Sequence, residues 1–203
     1  MIKLDVDNKE FDIANGYEEL SLGQYIDIVK IGESKITLEG YDADIEIISV
    51  LSNNREELKN LLWSFSKNDF DELKGLFDWV NDTTIIDKFK GLEPAKRLNI
   101  DGKEYGILSN YNKMTLGEIV SFETLLKQNN SDFHRLELAF GVLLRPLDEN
   151  GNLVEFTEEV FLQVLENKYK INMMDMYATI AFFLSGETLS TTKATKRFSI
   201  RQV

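Results

Sequence analysis

Apolar and polar residues alternate over Leu4–Asp7 and again over Lys9–Ile13, around Asp7-Asn8. A period of two marks a half-buried strand. Two turn-forming residues between such runs predict a hairpin. The pattern returns at Leu98–Ile107, this time around Asp101-Gly102. After each hairpin the period changes to that of a helix. Apolar positions predict helices over Tyr25–Ile31, Ala43–Ser52, Arg55–Phe65 and Asn68–Val80 in the first half. In the second half they predict Leu116–Gln128, Phe133–Leu144, Glu158–Glu166 and Met173–Leu184. Pro146 is expected to end the helix before it, since the residue preceding proline avoids helical geometry. Asn150-Gly151 within Leu147–Val154 predicts a further small hairpin, one that the first half lacks.

The two hairpins belong to a longer repeat. Leu4–Gln24 and Leu98–Glu118 align without a gap at an offset of 94, with eight identical positions in twenty-one. Both stretches end in the same helix-start signal. Ser21-Leu22-Gly23-Gln24 and Thr115-Leu116-Gly117-Glu118 fit the capping box, in which the hydroxyl and the Gln or Glu satisfy each other's backbone amides. Leu20 with Tyr25, and Met114 with Ile119, stand at the hydrophobic-staple positions. The expected fold class is α+β, mainly α-helical: a tandem duplication of a β-hairpin followed by a helical bundle. The breaks at Gly91 and Pro94 place the boundary, giving a first repeat over residues 1–92, a second over 93–186 and a tail over 187–203.

Charge and composition narrow the classes. The 203 residues carry a net charge of −12, so phosphate backbones are expected to repel the body of the protein. There are no cysteines, which excludes disulfides, thiolate metal ligands and cysteine nucleophiles. No run is long and apolar enough for a membrane span, and the N-terminus lacks the pattern of a secretory signal. The tail differs from the rest. It is rich in Ser and Thr and holds Lys193, Lys196, Arg197 and Arg201, with no acid after Glu187. It reads as an extended tail, either solvated or docked on an acidic neighbour.

The catalytic inventory is thin. His134 is the sole histidine and lies among Phe133, Leu136 and Leu138, where a packing or helix-surface role is expected. No nucleophile-elbow or phosphate-loop pattern occurs. The acids Asp42, Asp44 and Glu46, and the pair Asp148-Glu149, do not match a calcium loop and read as solvated faces. Trp63, Phe65, Phe70, Phe77 and Trp79 have helical spacing and are expected mostly in the core. Trp79, beside Asp78, is expected to be partly exposed and open to a partner. No catalytic, cofactor or metal site is assigned on these grounds.

Several stretches together resemble a known group. The capped Leu20–Tyr25 and Met114–Ile119 segments, the run Leu143-Leu144-Arg145-Pro146 and the ending Ala181-Phe182-Phe183-Leu184-Ser185-Gly186 look like small proteins of tailed bacteriophages, notably the crAss-like podoviruses. The likeness covers residues 98–186; the first half shares only its hairpin and cap. It implies a non-enzymatic structural protein, a cargo packaged in the capsid and portal lumen and ejected through the tail. The implied partners are other virion proteins, portal or tail components, with several copies per particle and no membrane. The implied location is the virion, with the host cytoplasm during assembly. A tail-assembly chaperone acting in the infected cell is the alternative.

Overall fold

The structure is a computed structural model that describes residues 1–34, 40–81, 95–108, 114–128 and 132–177. Of residues 122, 125–128 and 132–136 it describes the backbone only. It is a mixed, mainly helical α+β chain with two small antiparallel sheets.

The first sheet pairs β1 (Ile2–Val6) with β2 (Lys9–Ile13), Leu4 opposite Phe11 and Val6 opposite Lys9. The second pairs β3 (Arg97–Ile100) with β4 (Lys103–Ile107), Leu98 opposite Tyr105 and Ile100 opposite Lys103. The register is therefore identical at the 94-residue offset. The turns agree too. Asp7 and Asn8 have φ of 51° and 62°, Asp101 and Gly102 have φ of 51° and 81°. Positive φ at both central residues matches the twist of the flanking strands, and Asp, Asn and Gly tolerate it best. The inward side chains at matched positions, Phe11 and Tyr105, are both buried.

Helix α1 (Leu22–Glu33) begins at the Ser21 cap, α2 spans Tyr41–Val50, α3 Arg55–Leu62 and α4 Lys67–Gly75. The expected Asn68–Val80 helix stops early. It gives way at Gly75, and a 3-10 turn over Asp78–Asn81 follows. In the second half α5 is Leu116–Gln128, α6 Asp132–Leu143 and α7 Glu158–Glu166. Residues 173–177 are helical, in line with the start of the helix predicted there.

The helix expected to end before Pro146 does so, at Leu143. After Leu143 the chain turns into a third strand, β5 (Leu144–Pro146), antiparallel to β4. Proline fits because it is the last strand residue, at an edge. The first half has a reduced version. Ala14 N–H donates to Leu51 O and Ile13 bridges Ser52, just as Leu108 N–H donates to Leu143 O and Ile107 pairs with Leu144. The predicted small hairpin follows β5, closed by a bridge between Leu147 and Leu153 and turned at Gly151, φ 76°.

Two hydrophobic cores result, and α1 lies between them. Ile28 and Ile31 of α1 enter the core built from the first half, with Phe11, Leu20, Ile48, Leu58 and Phe70. Leu22 and Ile26 enter the core built from the second, with Tyr105, Phe140, Leu143 and Val164. A helix with apolar residues on two sides is a buried one. The crossing is mutual. Met173 joins the first core and Met176 the second. Each fully buried Leu or Ile side chain contributes about 1.5–3 kcal/mol, so the halves hold each other through these shared elements.

Candidate functional site

The two capping boxes are the best-defined polar features. Ser21 Oγ accepts from Gln24 N–H at 3.1 Å, and Gln24 Oε1 accepts from Ser21 N–H at 2.9 Å. Thr115 Oγ1 accepts from Glu118 N–H at 3.3 Å, and Glu118 Oε2 accepts from Thr115 N–H at 2.6 Å. Each N3 side chain has one more polar atom to satisfy. In Gln24 it is an amide NH2, which donates to Val50 O at 2.9 Å. In Glu118 it is a carboxylate oxygen, which can only accept, and it takes Arg145 Nη1 at 2.6 Å.

The Glu118–Arg145 pair is deeply placed, with side chains 10% and 5% exposed. The guanidinium lies 5.4 Å from the Phe156 ring centre, while its Nε and Nη2 are buried without a hydrogen-bond partner. Burial alone would raise the Glu118 pKa. The bonds from Arg145 and Thr115 outweigh it and hold the carboxylate below its ordinary range.

At the corresponding place in the first half lies an open cleft of about 510 Å³. Its lining includes Asp12, Glu19, Gln24, Asn53, Arg55 and Tyr169. Asn53 N–H donates to Asp12 O at 3.1 Å. Where Asp12 stands here, the second half has Gly106. A Cβ built on Gly106 would lie 2.6 Å from Leu153 and 2.8 Å from Leu147. The inserted hairpin of the second half therefore covers the ground that the first half leaves open. One wall of the cleft is a charged chain. Tyr169 OH donates to Asp27 at 3.0 Å, Arg55 bonds Asp27 at 3.0 Å and Glu46 at 3.3 Å, and Lys59 pairs with Glu46. Burial first, then the Asp27 charge, pushes the Tyr169 phenol up to about 12.

The other sequence candidates fall as follows. Asp44 pairs with Lys74 and Glu46 with Arg55 and Lys59, so these two acids of α2 neutralise nearby cations, while Asp42 is exposed. Asp148 accepts the backbone N–H groups of Asn152 and Asn150, an acceptor within its own turn. Among the described residues no group of three or more His, Cys, Asp or Glu is placed to hold a metal ion. No helix among them is long and apolar enough to cross a membrane. The side chain of His134, and the whole of Lys193, Lys196, Arg197 and Arg201, lie outside the described residues. Trp79 is packed against the first core, edge-on to Tyr17 at 5.0 Å, with its Nε1 buried. The exposed tryptophan is Trp63, at 57%. Trp79 is thus half-buried, in line with the partial exposure expected of it, and the departure is Trp63, expected in the core, because periodicity alone does not say which helix end turns outward.

Sequence reasoning missed Arg145, Asp27, Arg55 and Tyr169. Their partners are distant in the chain, and although Arg145 stands in the Leu143-Leu144-Arg145-Pro146 run, nothing in that run points to Glu118. No family model, no curated protein and no solved structure matches the chain.

Proposed function

We propose that this chain is a non-enzymatic structural protein of a tailed bacteriophage, packaged as cargo in the capsid or portal lumen, and that it arose by tandem duplication of a hairpin-plus-capped-helix unit. The duplication is supported by the shared hairpin register, the matched turns and the two capping boxes at one offset. The virion role draws on the resemblance of residues 98–186. The observation that carries the non-enzymatic part is the use of polar side chains. The notable ones close caps, bind their own turns or join elements, as Gln24, Asp148, Asp27 and Glu118 do. Function then falls to surfaces, here the exposed apolar side chains Trp63, Leu116 and Val120. Mass spectrometry of purified particles is the test. The protein is expected among the virion proteins, and its absence from mature particles removes the cargo reading.

The open cleft favours a second reading, a tail-assembly chaperone. The second half covers the matching ground with its own inserted segment, so a partner's extended segment fits the first half in the same way. Pull-down of a tail protein from infected cells, combined with absence from virions, selects this reading.

A further inference from the structure

The face of α1 that meets the second half has a counterpart on α5. Leu22, Gly23 and Ile26 correspond at the 94-residue offset to Leu116, Gly117 and Val120. On α1 this face is covered. The link after α7 lies across it: Leu22 N–H donates to Ile171 O at 2.7 Å, Met173 N–H donates to Leu20 O at 3.0 Å, and the Tyr169 ring sits so close over Gly23 that a Cβ there would overlap it. Leu22 and Ile26 are each 1% exposed, covered by this link together with Phe140, Leu143 and Val164 of the second core. On α5 the same face is bare. Leu116 is 76% exposed, Val120 54%, and a Cβ on Gly117 would meet nothing within 4 Å.

The covering element has a counterpart as well. In the second half it is the link between α7 and the helical segment that follows, with Asn172 accepting from Met174 N–H at the helix start. In the first half the link between α3 and α4 holds Trp63, Ser64, Phe65 and Ser66, with Ser66 capping α4 through Asp69 N–H. Phe65 packs on the first core as Ile171 does on the second, and Trp63 projects into solvent. So one link grips one helix within the chain, while the other link and the other helix are both left over.

We propose that these leftover surfaces are a self-association interface: the Trp63–Ser66 link of one copy docks on the Leu116, Gly117 and Val120 face of a second copy, repeating between molecules the contact that Tyr169–Ile171 makes with α1 within one. The occupant is a second copy because the chain itself supplies both the template and the unused pair. The surfaces differ from each other, so the interface is head-to-tail, and repetition closes a ring or extends a filament. Gly117 leaves room for an aromatic ring over the helix start, as Gly23 does for Tyr169. The interface rests on the correspondence between the halves and is independent of whether the protein is packaged in a virion.

The test is sedimentation of the full chain with two variants, Trp63→Glu and Val120→Glu. The wild type is expected to show a mass that rises with concentration beyond a dimer. Each variant alone is expected to stay monomeric, because each lacks one of the two surfaces. Mixed together, they are expected to form a one-to-one heterodimer and nothing larger, since only one intact pair of surfaces remains. Far-ultraviolet circular dichroism and thermal unfolding check that each variant folds; Leu116→Lys, at the most exposed position, takes the place of Val120→Glu where that one unfolds. A wild type that stays monomeric to its solubility limit overturns the proposal. So do single variants that associate like the wild type, or a folded mixture that forms no heterodimer.

Discussion

Leu22 and Leu116 are the same residue after the same cap, yet one is 1% exposed and the other 76%. The two halves start their first helices by the same hydrogen bonds and then treat them in opposite ways. In the first half, α1 is sunk between two cores and its cap faces an open cleft with one charged wall. In the second, α5 presents an apolar edge to solvent and its cap is sealed by a buried ion pair and an inserted hairpin. The difference teaches that a cap fixes where a helix begins and leaves open what that helix is for.

The largest effect is expected at the sealed cap. Arg145→Ala leaves Glu118 buried without its partner, and loss of one member of a buried pair costs about 3–5 kcal/mol. Gln24→Ala removes two neutral hydrogen bonds at the matching place, with Ser21 N–H and Val50 O, and is expected to cost about 1–3 kcal/mol. Chemical denaturation of both variants measures the contrast; equal losses would mean that the two caps are supported alike.

Acid sharpens the same comparison. The Glu118 pKa is lowered in the folded chain, so its contribution to stability is complete above the ordinary carboxylate range. That contribution is lost as the pH falls through the folded pKa. Glu118→Gln is therefore expected to unfold more easily at neutral pH but to lose less further stability on acidification than the wild type. Denaturation midpoints followed from neutral pH down to the acid transition give the slopes. Parallel slopes would break the assignment.

A pair of glycine substitutions comes next. Gly23→Ala forces a methyl against the Tyr169 ring and is expected to destabilise by about 1–3 kcal/mol. Gly117→Ala enters open space within a helix and is expected to stabilise by about 0.5–1 kcal/mol. Opposite shifts in thermal midpoint at two aligned glycines are the expected signature. The smallest contrast is at the caps themselves. Ser21→Ala and Thr115→Ala are each expected to cost about 1 kcal/mol, and near-equality is the informative outcome.

The legible parts of this fold were those written in neighbouring residues. Asp7-Asn8 and Asp101-Gly102 announced hairpins because positive φ is a local demand. Ser21 with Gln24, and Thr115 with Glu118, announced helix starts because the bonds close within four residues. Strand β5 was hidden. Leu144-Arg145-Pro146 has no period of its own and becomes a strand only because β4 is beside it. The cleft and its charged wall were hidden for a similar reason, since Tyr169 reaches Asp27 from the far end of the described chain. Trp63, expected in the core, is exposed instead, because helical spacing selects a face without saying which face is covered.

By itself, then, the sequence determined the hairpins, their turns, the helix starts and the correspondence between the halves. Each is decided by backbone geometry and hydrogen bonds a few residues apart. Only the tertiary structure decided which of two like helices is buried, which cap is sealed by charge and which apolar edge is left bare. Those outcomes depend on whether a distant segment such as Tyr169–Met173 lies across the surface, and burial is a property of what arrives there.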